Sequence, residues 1–148
     1  MSALKRVLFV CVGNACRSQM AEGFARKYGS DVLIAASAGL APASGVASDT
    51  VRAMDEKSIN LRDHFPKHLR HLERVKFDLV INISGYPLPE SIECEVRGWD
   101  IDDPVCMDYA EHCEIRDQIE RKVMELILEL RRAQAAPNLT RFGSAPGS

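Results

Sequence analysis

Residues 7–20 read Val-Leu-Phe-Val-Cys-Val-Gly-Asn-Ala-Cys-Arg-Ser-Gln-Met, and their reading decides the fold. The β-branched and aromatic run at residues 6–10 predicts a buried strand. Gly13 and Asn14, two residues that tolerate left-handed backbone angles, break it. Ser18 is a good N-cap for a helix whose apolar face carries Met20, Ala21, Phe24, Ala25 and Tyr28. Between strand and helix lies Cys11, five residues, then Arg17. A loop of this length can curl until its N–H groups point inward, making an anion-binding concavity at a helix N-terminus. Inward amides, the helix dipole and Arg17 would together favour thiolate over thiol at Cys11. A tetrahedral oxyanion in the loop would lie over that sulfur, with Arg17 forking onto two of its oxygens.

The bulk properties narrow the setting. At 148 residues with 46% hydrophobic and 27% charged residues, one soluble domain is expected. A net charge of −2 argues against general nucleic-acid or membrane-surface binding. No stretch could span a bilayer and no signal-peptide pattern opens the chain. Five cysteines, an odd number, suit the reducing cytoplasm better than a disulfide framework.

Beyond the first helix, strands are expected at residues 32–36, 77–83 and 94–99. Helices are expected at residues 50–57 (capped by Ser48 or Asp49), at 66–74 opened by Pro66, and at 113–132. The last has an apolar stripe of Ile115, Ile119, Val123, Leu126, Ile127 and Leu130. Residues 1–132 form the expected domain, and residues 133–148, rich in Ala, Pro, Gly and Ser, read as a disordered tail. Alternating strands and helices imply an α/β, three-layer fold: a parallel sheet with helices on both faces. Ligands then bind beyond the strands' carboxyl ends. Cys11, Ser37, Ser84 and Asp103 each follow a strand and gather there.

The filled-in loop of Val12, Gly13, Asn14, Ala15, Cys16, Arg17 and Ser18 after Cys11 resembles the active-site loop of the low-molecular-weight protein tyrosine phosphatases. The arsenate reductases that share their fold carry the same kind of loop. Ser37-Ala38-Gly39, Asp103-Pro104 and the closing helix fit the same resemblance, which covers roughly residues 4–132. It implies a four-stranded sheet of order 2-1-3-4, flavodoxin-like in layout. It also implies Cys11 as nucleophile, Arg17 as clamp, Asp103 as general acid and base, and a Ser18 hydroxyl donated to the Cys11 thiolate. Neither metal nor cofactor is implied, because Arg17 and the amides would carry the charge a cation would otherwise neutralise.

Three functions compete on this reading. First stands a phosphatase acting on a phosphorylated protein or small aryl phosphate through a phosphocysteine. Second is an arsenate reductase coupled to thioredoxin or a low-molecular-weight thiol, favoured by residues 19–23 and by Arg97-Gly98-Trp99. Against thioredoxin coupling, those reductases carry a resolving cysteine pair after the third strand, where this chain has Ser84 and only Cys94 downstream. Third is a phosphate-binding module without catalysis, for which neither Cys11 nor Asp103 would be needed.

Other residues carry less. Asp102 competes with Asp103 as the acid. His64, His68 and His71 read as a solvated basic face and not a metal site. Cys94, Cys106 and Cys113 lack metal-ligand spacing, and Trp99 reads as core. Cys16 is a redox candidate: near Cys11 it could trap a sulfenic acid as a disulfide, though filling a small apolar space is the plainer role.

Overall fold

β1 (Lys5–Cys11) is buried from Val7 onward and sits at the sheet centre. In the computed structural model, which describes residues 4–144, it pairs in parallel with β2 (Leu33–Gly39) and with β3 (Leu79–Asn82). β4 (Glu95–Gly98) adds to β3, so the order is β2-β1-β3-β4, all parallel. Cys11 lies opposite Gly39, and Val10 opposite Asn82, which faces Gly98. All four strands therefore end at one edge, where the site residues collect.

One face of the sheet carries the larger core. α1 (Arg17–Tyr28) buries Met20, Ala21, Phe24 and Ala25 against Val7, Phe9 and Ile81. α3 (Tyr109–Ser144) adds the full stripe from Ile115 to Leu130, each such side chain worth about 1.5–3 kcal/mol on burial. α1 and α3 come close at Gly29, where an added Cβ would lie 2.8 Å from Ile127. α2 (Ser48–Asp55) sends Met54 into the same core. Trp99 packs on Phe9 with ring centroids 5.8 Å apart, as a partly buried member. Among the described residues the second face, with Leu8, Val10 and Val80, carries helix only as the 3-10 turn Leu69–Leu72, less than the expected helical layer, and is otherwise covered by loop.

Several expected boundaries move, each for a local reason. Ser18 is not the N-cap of α1: Cys16 holds that place, with no side-chain cap, and the Ser18 hydroxyl faces Cys11 instead. Neither Ser48 nor Asp49 caps α2, because Ala47 precedes it and donates its N–H to Ala15. No helix opens at Pro66. Lys67 donates to Asn14 Oδ1 and its carbonyl accepts from Gly39, so this backbone is committed to the neighbouring loop. α3 starts at Tyr109, four residues early, because Asp108 accepts from the Glu111 N–H at 2.8 Å. Its helical backbone also continues past Arg132 to Ser144, through Ala133, Ala135 and Ala136, strong helix formers where a tail was expected. Residues 145–148 of that tail lie outside the described residues.

Candidate active site

The loop from Cys11 to Arg17 is shaped from outside. The carbonyls of Cys11, Val12, Gly13 and Ala15 accept N–H bonds from Leu40, Ala41, Ala43 and Ala47, at 2.9–3.2 Å. The Asn14 carbonyl takes the Gln19 side-chain amide at 3.1 Å. In a peptide the carbonyl and the next N–H point opposite ways. Turning these carbonyls outward therefore turns the N–H groups of residues 12–16 into the loop, the concavity an oxyanion needs. Of Gly13 and Asn14, only Asn14 takes the left-handed conformation, with φ +52°. Gly39 is required because the loop presses on it: an added Cβ would lie 2.6 Å from the Val12 carbonyl.

Cys11 lies at the floor, 2% exposed. Its Sγ is 2.8 Å from Ser18 Oγ, and Asn14 Nδ2 donates to that same oxygen at 2.7 Å. Because Asn14 supplies the hydrogen there, the Ser18 hydroxyl is left to donate its own to sulfur. Asn14 is fixed in turn: its Oδ1 accepts from Gln19 Nε2 at 3.2 Å and from the Lys67 N–H at 3.0 Å.

Arg17 is buried, and its Nη1 donates to the carbonyls of Ile83 and Ile101 at 2.8 and 2.9 Å. These carbonyls follow β3 and precede Asp103, so the sheet edge aims the guanidinium. Its Nη2 stands 3.5 Å from Asp103 Oδ2. Asp103 is 45% exposed, and its other oxygen accepts from the Val105 N–H, capping the 3-10 turn Pro104–Cys106. Asp103, not Asp102, is the carboxylate paired with Arg17; Asp102 is exposed.

A cysteine floor, an inward amide ring, a buried arginine and an apposed carboxylate therefore meet at one strand edge. Residues 6–136 match the family described as low molecular weight phosphotyrosine protein phosphatase. The chain belongs to that family. A relative, the glutaredoxin arsenate reductase of Synechocystis sp., is 30% identical over 131 residues, 86% of this chain and 99% of the relative. Among solved structures, an arsenate reductase in the phosphate binding state superposes with TM-score 0.79 at 29% identity, over 86% of this chain and 99% of the other. The low molecular weight protein tyrosine phosphatase from T. tengcongensis gives 0.69 at 28%, over 84% and 99%.

Around this site lies a layer the sequence reading missed. His64, expected on a solvated face, is turned inward: its Nδ1 is 2.9 Å from Gln19 Oε1 and 3.7 Å from buried Glu22. Since that Gln19 oxygen can only accept, Nδ1 carries a hydrogen. Burial pushes the His64 imidazole below its ordinary value, against the opposing pull of Glu22. Glu22 also accepts from Ser37 at 2.6 Å, binding the β2 end to α1. His68 caps its own 3-10 turn. Among the described residues no three His, Cys, Asp or Glu side chains are placed to hold a metal. Only the Ser37-Ala38-Gly39 pattern hinted at this layer; spacing could not show His64 folding back across 45 residues.

The remaining cysteines separate by position. Cys16 is buried beside Thr50, and burial raises its thiol to about 11. Cys94 immediately precedes β4, at the sheet edge opposite Cys11 and roughly 15 Å away along the strand direction. Ser84, at the end of β3, is buried and bonded to Asn82 and Tyr86. Cys106 is exposed on the Asp103 turn.

Proposed function

We propose that this chain is a thiol-dependent arsenate reductase whose second thiol comes from outside the chain. The observation that carries the reading is the depth of the floor: Cys11 is 2% exposed and Arg17 6%. Such a cradle suits a small tetrahedral oxyanion better than a bulky phosphorylated side chain. The two arsenate reductases among the similar proteins named above favour the same chemistry.

In the proposed reaction Cys11, as thiolate, attacks arsenic while Arg17 and the loop amides hold the remaining oxygens. Asp103 protonates the departing oxygen, which leaves as water. A low-molecular-weight thiol or glutaredoxin then attacks the Cys11 sulfur. The electron pair of the S–As bond passes to arsenic, arsenite departs, and Cys11 is left in a mixed disulfide. A second thiol releases Cys11 and carries off the disulfide, so two thiols are oxidised for each arsenate reduced. An external thiol is favoured because Cys94 lies across the sheet and Ser84 stands where a nearer cysteine would serve. Such a cycle belongs in a reducing compartment such as the cytoplasm.

The experiment supplies arsenate with glutathione-type thiols, glutaredoxin or thioredoxin and measures arsenite. Arsenite should form with a small thiol or glutaredoxin, at one disulfide per arsenite, and Cys94→Ser should leave the rate unchanged. Loss of activity in Cys94→Ser or Cys106→Ser would place the second thiol in the chain. Absence of arsenite with every donor would overturn the reading. Hydrolysis of aryl phosphates by the same preparation would then favour the second reading, a phosphate monoesterase. Asp103, 3.5 Å from Arg17 where a leaving oxygen would emerge, supports that reading.

A further inference from the structure

Gln19, in the first turn of α1, is fully buried, and both ends of its side-chain amide are bonded. Nε2 lies 3.1 Å from the Asn14 carbonyl, 3.2 Å from Asn14 Oδ1 and 3.2 Å from the Phe65 carbonyl. Oε1 lies 2.9 Å from His64 Nδ1. Asn14 is the middle residue of the anion loop and stands at φ +52°. In a residue with a Cβ, that left-handed conformation persists only where the surroundings over-determine it. Of the five loop carbonyls bonded outward, four take main-chain N–H groups, and that of Asn14 takes the Gln19 side chain.

Main-chain groups orient every amide in this cluster. The carbonyls of Asn14 and Phe65 can only accept, so the Gln19 atom facing them is the nitrogen. Its two hydrogens serve three acceptors, two of them on Asn14. The Lys67 N–H can only donate, so Asn14 turns its side-chain oxygen to Lys67, at 3.0 Å, and to Gln19. Asn14 Nδ2 is then left for Ser18 Oγ, at 2.7 Å, and Ser18 for Cys11 Sγ, at 2.8 Å. The Lys67 carbonyl in turn accepts from Gly39 at the end of β2. Through Gln19 the loop is fastened to backbone that β2 itself anchors.

We propose that Gln19 is a positioning residue for the anion loop: by holding the carbonyl and the side chain of Asn14 together, it keeps the cradle shaped for a tetrahedral oxyanion before one arrives. This rests on the loop being the oxyanion cradle of the proposed function, and not on the reductase chemistry. Main-chain N–H groups bind an anion strongly only when aimed beforehand, so a loop free to relax at Asn14 binds more weakly.

The test is calorimetry with inorganic phosphate, at a temperature where circular dichroism shows each protein folded. Wild type is compared with Gln19→Met, Gln19→Asn, Asn14→Ala, Gly29→Ala and the Gln19→Met/Asn14→Ala double variant. Gln19→Met keeps the length of the side chain without its hydrogen bonds and should weaken phosphate binding roughly ten- to a hundredfold. Gln19→Asn, one methylene short, should weaken it less, and carries the test if Gln19→Met does not fold. The double variant should bind no more weakly than Asn14→Ala, because Gln19 acts through Asn14. Gly29→Ala strains the contact of α1 with Ile127 and should lower stability while leaving phosphate affinity unchanged. Unchanged affinity in both Gln19 variants, or additive losses in the double variant, would overturn the positioning role.

Proton exchange gives a readout independent of affinity. Without anion, the Asn14 side-chain amide should exchange slowly in the wild type and about tenfold faster or more in Gln19→Met. Equal rates would overturn the role as well. In turnover, the KM for arsenate should rise in step with the phosphate Kd. A KM that stays put while kcat falls would place the effect on Cys11 and overturn it. Absence of arsenite from the wild type, with the phosphate results intact, would refute the reductase reading and leave Gln19 in its role. Failure of the wild type to bind phosphate would overturn the cradle and this inference together.

Discussion

The loop from Cys11 to Arg17 and the turn from Asp103 to Cys106 face one another across the site, but they are held differently. In the loop, five carbonyls are bonded outward, four of them to residues 40–47. Behind it lie Ser18, Asn14 and Gln19, all fully buried. The turn has a half-exposed carboxylate, two short-range bonds and the 3.5 Å approach of Arg17. Binding an anion needs several donors aimed before it arrives, because reorganising them would consume the interaction energy. Delivering a proton needs one group that approaches and withdraws. On the proposed mechanism, rigidity is accordingly built where charge would be held, and looseness where a proton would move.

The largest effect should come from the floor of the rigid half. Cys11→Ser should reduce both arsenate-dependent thiol oxidation and aryl phosphate hydrolysis to background, since a hydroxyl there stays un-ionised and is a far weaker nucleophile. Phosphate binding, followed by calorimetry, should survive, because the amides and Arg17 remain. Residual turnover above that of a Cys11/Arg17 double variant would break the assignment.

An intermediate effect should follow from forcing the rigid half open. Gly39→Ala places a Cβ against the Val12 carbonyl, so either the loop or β2 must shift. Unfolding in urea should show a loss of about 1–3 kcal/mol, together with weaker inhibition by phosphate. A stability loss with phosphate inhibition intact would mean that the cradle does not depend on the β2 contact.

The smallest effect should come from pH. The folded-state value of His112 is depressed by burial, so between that value and about 6.5 the unfolded chain binds more protons than the native one. Its contribution is complete above that window and is lost as pH falls through it. Stability measured by urea unfolding should decline below pH ~6.5, less steeply in His112→Phe. His64, depressed in the same direction, should keep part of the slope. An unchanged slope in His112→Phe would show that the ring is not buried in its neutral form.

Much of the site was legible in residues 7–20 because its parts are contiguous. A strand, a short loop and an amphipathic helix force Cys11, the inward amides and Arg17 into one place, and periodicity reveals both flanks. The stripe of α3 was legible for the same reason: local spacing of 3–4 residues fixes which face is buried. Errors arose where a polar group answers to a distant partner. Ser18 looks like a cap until Cys11 and Asn14 occupy its hydroxyl, and Pro66 looks like a helix start until Asn14 and Gly39 take the backbone of Lys67.

By itself, then, the chain order determined the parallel sheet and the strand edge at which Cys11, the loop amides and Arg17 meet. Tertiary structure decided which carboxylate faces Arg17, which carbonyls aim its guanidinium, and what stands behind the loop. His64 reaches Gln19 across 45 residues and His112 reaches Thr50 across 62. A histidine carries no local signal of such a partner. Its ring pairs with whatever polar group is buried beside it, and only the packed chain determines which group that is.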